Sequence, residues 1–268
     1  MNKTLTAGIV IVGTIILISI FGNYITKYNP LEQNLLERLQ PPSKNHFFGT
    51  DELGRDVFSR MIHSTKISLT VGIVSVSIAT IIGLILGLIS GYYGGKIDIL
   101  IMRLVDIMLC FPTFFLILMV VAFTKPNIYN IMIVIGITSW PGLARYVRGE
   151  VLSVREREYI ISAKLAGLSS TKILFVHILP NVLVPVIVTF TLGIGGAILT
   201  ESALSFLGLG VQPPQPSWGN ILSSGKDYIH IAWWLSLFPG GAIFLTVIGF
   251  NLIGEGIRKM FSVKEKLL

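Results

Sequence analysis

Between Lys66 and Lys96 the chain reads ISLTVGIVSVSIATIIGLILGLISGYYGG, residues 67–95, 29 residues without a charge. About 20 apolar residues cross the hydrocarbon core of a bilayer, so this stretch reads as a transmembrane helix. The same measurement works outward from it. Lys3 to Lys27 encloses 23 uncharged residues, Asp106 to Lys125 encloses 18, and Lys125 to Arg145 encloses 19. Lys172 to Glu201 encloses 28, and Asp227 to Glu255 encloses 27. The Asp106 stretch becomes long enough if its helix begins near Asp98, with Arg103 and Asp106 facing protein or water. Three residues apart, those two are spaced to pair with each other. The expectation is an all-α polytopic membrane protein with six transmembrane helices.

Composition agrees. Of 268 residues, 52% are hydrophobic and 13% charged, against roughly 25% charged in a soluble domain. The mean hydropathy is +0.76. These values exclude disorder, a disulfide scaffold and collagen. The net charge of +7 comes from 21 Lys and Arg scattered between apolar blocks, which are topology signals and not a nucleic-acid patch. Cys110 lies inside an apolar block, has no partner for an intrachain disulfide, and is expected to serve packing. The first apolar run exceeds the 7–15 residues of a signal-peptide core, and no A-x-A site follows it, so it is expected to stay as an anchor.

Orientation follows from the basic residues. With six spans, both termini and the 145–172 segment share one side, which collects 13 of the 21 Lys and Arg. Both termini are therefore expected to be cytoplasmic.

Three segments outside the spans are informative. Residues 46–66, HFFGTDELGRDVFSRMIHSTK, place Gly49 and Gly54 at a turn, with Thr50 or Asp51 as a helix cap. Val57, Phe58, Met61 and Ile62 then recur at helical spacing, which predicts a short amphipathic helix on the outer membrane surface or a solvated connector. Residues 145–172, RYVRGEVLSVREREYIISAKLAGLSSTK, put Ser162, Ala163, Ala166 and Gly167 on adjacent turns of one helix face. Gly167 suits a left-handed helix stop, and Ser169 or Ser170 suits the next cap. A helix–turn–helix with a close-approach notch fits a groove on a soluble partner, although a plain helical loop explains the pattern too. In the outer loop 201–234, ESALSFLGLGVQPPQPSWGNILSSGKDYIHIAWW, Pro213, Pro214 and Pro216 forbid a continuous helix. Ala203–Val211 reads as a half-buried, re-entrant or capping element, and Trp218, Trp233 and Trp234 suit a membrane–water interface.

The chain contains no G-x-x-x-x-G-K-[ST], H-E-x-x-H, C-x-x-C or G-x-S-x-G pattern. No ATP site of its own, metal site or catalytic constellation is expected. Few ionisable groups lie inside the spans, which argues against an ion-coupled carrier. Prolines 112, 141, 180, 185 and 239 lie in or at the ends of spans and permit kinks.

Residues 161–180, ISAKLAGLSSTKILFVHILP, resemble the E-A-A loop of binding-protein-dependent ABC importer permeases. That pattern is E-A-A, three residues, Gly, nine residues, Ile-x-Leu-Pro. Ala163, Gly167, Leu179 and Pro180 match in register, while Ile161, Ser162 and His177 depart from it, and Glu158 stands one turn before the missing carboxylate. GTDELGRDVFSR (49–60) and ESALSFLGLGVQPPQPSWG (201–219) look like signatures of the second permease subunit of dipeptide, oligopeptide and nickel importers.

The resemblance implies a type I ABC importer transmembrane domain in the cytoplasmic membrane of a prokaryote. Residues 1–66 would form an N-terminal helix with an outer-face segment, 67–256 the permease core, and 257–268 a cytoplasmic tail. Partners would be a homologous permease subunit, two cytoplasmic ATPase subunits that bind ATP and Mg, an extracytoplasmic substrate-binding protein, and membrane lipid, with no nucleic acid. The chain would bind no cofactor and would not itself be an enzyme. Glu158, Ser162, Ala163, Ala166, Gly167, Leu179 and Pro180 would form the ATPase-coupling loop. Asp106, Phe111 and Pro112 are candidate pore-lining residues, because a carboxylate and a proline inside a span need a reason. The substrate would be di- or oligopeptides; a nickel or metal-chelate importer and a self-contained channel or carrier are the alternatives.

Overall fold

The computed structural model describes residues 3–124 and 127–265. The described residues are almost entirely helical. α1 (Lys3–Ile25) is followed by a connector holding one 3-10 turn (Leu35–Glu37), then α2 (Val57–Tyr93), α3 (Gly95–Leu109), α4 (Thr113–Ala122) and α5 (Ile128–Arg155). α6 (Glu158–Leu165), α7 (Ser170–Lys172), a π turn (Ile173–Ile178), α8 (Leu179–Phe206), α9 (Trp218–Gly225) and α10 (Trp234–Glu265) complete the order.

Four stretches are long and apolar enough to cross a membrane: Lys3–Gly22, Val57–Tyr93, Ser170–Phe206 and Trp234–Phe261. α3 and α4 count as a fifth if taken together, bent by 80°. The bend falls on Cys110–Pro112. Pro112 has no N–H to donate, and its ring excludes the preceding residues from a straight helix. Cys110 is exposed at this bend, not packed. α5 corresponds to the expected span between Lys125 and Arg145. It has 28 residues, but Asn130, Ser139 and Pro141 dilute its apolar half and charges fill its second half, so it is not among the five by composition.

α2 is the central helix. Its 37 residues extend about 55 Å, more than a bilayer core requires. Asp56 caps it, accepting from Ser59 N at 2.8 Å. The predicted surface helix at 57–67 is thus the first part of α2 and runs straight into the span. Gly83, Gly87 and Gly91, four residues apart, face Leu143, Val147 and Val151 of α5, also four apart. A Cβ on Gly87 would lie 2.6 Å from Val147 Cβ and 2.7 Å from Ala144 O. Small residues in a row let the two backbones approach, which is how helices gain contact in lipid. Gly8 of α1 and Gly249 of α10 do the same for the α1–α10 pair.

At the end of the bundle carrying α9, the connector folds onto the helices. Asp51 accepts from Arg55 N at 2.9 Å and Arg55 Nε at 2.7 Å, and His46 Nδ1 meets Asp56 Oδ1 at 2.9 Å. Trp234 Nε1 donates to Thr50 O at 3.1 Å, and Phe48 stacks on Phe238 with ring centroids 3.9 Å apart. Trp218 and Trp234 are 2% and 3% exposed, so they belong to the protein core and not to a membrane interface. Trp233 is exposed as expected.

Candidate functional site

At the opposite end, α5 closes into the turn that presents α6. Ile160 is fully buried and Ala163 half-buried against Val154, Ile173 and Ile178, which fixes one face of α6. The other face points outward: Glu158, Ser162, Leu165, Ala166 and Gly167 are all exposed, Leu165 at 84%. This face therefore presents an exposed leucine beside small residues, with charged neighbours at both ends of the helix. Gly167 stops the helix in the left-handed region, with φ +76, and a Cβ there would meet nothing within 4 Å. Ser169 caps α7, accepting from Lys172 N at 3.4 Å.

Leu179 and Pro180 belong to the return path. Pro180 cannot donate to Val176 O, and its ring would crowd that carbonyl in a regular helix. The backbone widens instead: Leu179 N bonds to Leu174 O, five residues back, and Asn181 Nδ2 takes His177 O at 2.7 Å. The motif's proline thereby accounts for the π turn.

The α6 turn is tied to α2 and to the start of α3 by contacts that no sequence spacing singled out. Arg155 Nη1 donates to Gly91 O at 3.1 Å and Tyr92 O at 3.2 Å, satisfying carbonyls at the end of α2. Arg148 reaches Asp98 at two points, both 2.6 Å, and Ser90 Oγ also donates to Asp98. Lys164 Nζ lies 5.7 Å from the Tyr92 ring centroid. Clustered Arg and Asp at helix ends were the available signal, but nothing in their spacing pairs position 98 with 148.

The three candidate lining residues sit on the bent pair. Asp106 is exposed and pairs with Arg145 of α5, not with Arg103. Phe111 and Pro112 are exposed at the bend. None of the three enters the groove of about 250 Å³ between α2, α5 and α8, which is lined by Ser75, Thr80, Ser139, Gly193, Gly196 and Thr200 among others. These positions are scattered along the chain and had no common signal.

In the 201–219 motif, Glu201 is completely buried. Its Oε1 accepts from Ser205 Oγ at 2.6 Å and Ser217 Oγ at 2.9 Å. Ser217 also caps α9, accepting from Asn220 N at 3.1 Å. The carboxyl thus anchors the loop that seats α9, as a folded capping element instead of a tether.

The comparisons with known proteins agree with this architecture. Residues 83–265 match the family described as "Binding-protein-dependent transport system inner membrane component". Residues 1–42 match the "N-terminal TM domain of oligopeptide transport permease C". The chain belongs to the family of inner membrane components of binding-protein-dependent transport systems, bacterial permeases of the inner membrane. It is 48% identical over 265 residues to the dipeptide transport system permease protein of Alkalihalophilus pseudofirmus, covering 99% of this chain and 87% of that one. Identity to the di/tripeptide transport system permease protein of Pseudomonas aeruginosa is 41% over 271 residues, covering 99% and 89%. For the oligopeptide transport system permease protein of Bacillus subtilis it is 38% over 263 residues, covering 98% and 86%.

Proposed function

We propose that this chain is a pore-forming subunit of an ATP-driven importer for di- or oligopeptides. The reading is carried by the exposed face of α6, with Leu165, Ala166 and Gly167 presented beyond a buried Ile160. The peptide-transport names of its relatives support the substrate class. In this reading Glu158, Ser162, Ala163, Ala166 and Gly167 meet a cleft on an ATPase subunit, with Leu179 and Pro180 shaping the return into α8. A second, related permease completes the pore, and an extracytoplasmic binding protein delivers peptide at the α9 end. ATP and Mg act on the two ATPase subunits. α5 serves as the sixth span, both termini are cytoplasmic, and the core runs over 67–256 between the outer segment 1–66 and the tail 257–268. Asp106, Phe111 and Pro112 border the path at the bend.

Mechanically, closure of the ATPases displaces α6. Because Arg155 and the glycine row join α5 to α2, and Arg148 joins α5 to Asp98 of α3, these helices move as one body and reopen the pore to the other side. The test is peptide-stimulated ATP hydrolysis and uptake in liposomes holding this chain with its permease, ATPase and binding-protein partners. Stimulation by peptides that disappears when this subunit is omitted is the expected result. Stimulation by nickel chelates alone would move the substrate to metal, and flux from this chain alone would make it a channel or carrier.

A further inference from the structure

We infer that the groove between α2, α5 and α8 holds the transported peptide by its main chain, through uncharged hydroxyls. This rests on the importer reading above. The groove has mainly apolar walls, Val76, Ile135 and Leu143 among them, into which Ser75 and Thr80 of α2, Ser139 of α5, and Thr189 and Thr200 of α8 bring hydroxyls, with no ionisable side chain among its lining residues.

Three of its five hydroxyls behave unlike their neighbours, whereas Thr189 and Thr200 donate to their own backbone, at Pro185 O (3.0 Å) and Gly196 O (2.9 Å). A serine or threonine inside a spanning helix usually satisfies itself on its own backbone. On α2, Thr70 donates to Lys66 O and Ser77 to Ile73 O, each at 2.7 Å. On α5, Thr138 donates to Val134 O at 2.7 Å. Ser75 does not: it is completely buried, lines the groove, and its Oγ has no partner. Among the described residues Thr80 and Ser139 likewise make no hydrogen bond. Polar groups left unpaired at bilayer depth belong against water, ligand or protein, never against lipid.

The chemistry selects the ligand. A hydroxyl both donates and accepts, so it fits the alternating N–H and C=O of a peptide backbone. With no ionisable side chain in the lining, the contact open to the groove's polar groups is with main-chain amides, and charged groups are left to be met outside it. The glycines provide depth, and a Cβ at Gly196 would meet nothing within 4 Å. Ser139 also continues into an exposed polar face of α5, with Gly142, Tyr146 and Gly149 at helical spacing toward the α6 end. Recognition through the backbone makes this subunit indifferent to side chains, leaving sequence preference to its partners.

The test uses the complete importer in liposomes, with a tripeptide substrate and its backbone N-methylated form, and scores uptake and basal ATP hydrolysis. Gly196→Leu fills the groove without a clash in the fold and is expected to cut uptake about tenfold or more while basal hydrolysis and assembly persist. Gly13→Leu, on α1 and equally free of neighbours, is the control and leaves uptake unchanged. Ser139→Ala is expected to slow uptake about threefold to tenfold and to shrink the penalty of N-methylation relative to the wild type. Normal uptake by Gly196→Leu overturns the inference, as does an N-methylation penalty identical in wild type and Ser139→Ala. So does a cysteine at 196 that cross-links to the partner permease in every nucleotide state and is never protected by peptide. If the wild-type assembly moves no peptide at all, the importer reading itself fails.

Discussion

Asp98, in the first turn of α3, and Arg148, in the second half of α5, meet through two parallel hydrogen bonds of 2.6 Å, Nε to Oδ1 and Nη2 to Oδ2. Fifty residues apart in sequence, they lock the α2–α3 corner to the helix that delivers α6. Two-point guanidinium–carboxylate pairs hold direction as well as distance, and both side chains are partly shielded from solvent.

Breaking this pair should loosen the corner. Asp98→Asn or Arg148→Ala is expected to lower stability by about 1–2 kcal/mol. In the assembled importer each should raise ATP turnover per peptide moved. The exchange Asp98→Arg with Arg148→Asp should recover part of the lost coupling. A double-mutant cycle in detergent unfolding with no interaction between the two sites would refute the linkage.

The glycine row on α2 makes a sterically strict prediction. Gly87→Leu places atoms where Val147 and the Ala144 carbonyl already stand, and should cost about 3 kcal/mol or more. Adding Val147→Ala should return part of that loss, because it vacates the contacted volume. Thermal unfolding in detergent reads both variants, and equal melting of Gly87→Leu with and without the second change would count against tight packing here.

Asp56 combines a helix cap with a side-chain partner. It accepts from Ser59 N at 2.8 Å and meets His46 Nδ1 at 2.9 Å. Asp56→Ala is expected to cost about 2 kcal/mol and to free the connector from α2, while Asp56→Asn keeps the cap and costs less. Limited proteolysis of residues 40–56 in the two variants separates these outcomes.

Gly167 carries the docking prediction. Its φ of +76 strains most other residues by about 1–2 kcal/mol, yet nothing lies within 4 Å of a Cβ built on it. Gly167→Trp should therefore assemble in the membrane while losing ATPase binding, measured by co-purification of the ATPase subunits. Gly167→Asn, which tolerates this backbone, should retain binding. Normal ATPase capture by Gly167→Trp would remove α6 as the contact.

Much of this was readable in the chain. Long uncharged runs located α1, α2, α8 and α10, and small residues ending in Gly167 located the α6 turn, because both are local patterns. What escaped depended on partners distant in sequence. Arg103 is the i−3 neighbour of Asp106, yet tertiary placement gave that carboxylate to Arg145. Trp218 and Trp234 resembled interfacial aromatics, but both rings are buried, with Ser68 Oγ accepting from the Trp218 backbone N–H and Thr50 O from the Trp234 indole. The surface helix expected before the second span merged into α2 because Asp56 caps it and no breaker follows. Ser75, Ser139 and Thr200 share a groove only through the crossing of three helices, which no periodicity within one helix encodes.

The widened turn at Ile173–Ile178 leaves α6 suspended between unlike arms. On the α5 side, Arg155 and the glycine contacts make a stiff strut. On the α8 side the load passes through a coil with five-residue bonds and the poorer geometry of a π turn. Under the proposed coupling, a push at α6 would pass chiefly into α5, the more firmly held arm, with the return limb the more deformable of the two. The asymmetry would give such a lever a direction, with displacement entering by the strut and deformation collecting in the coil.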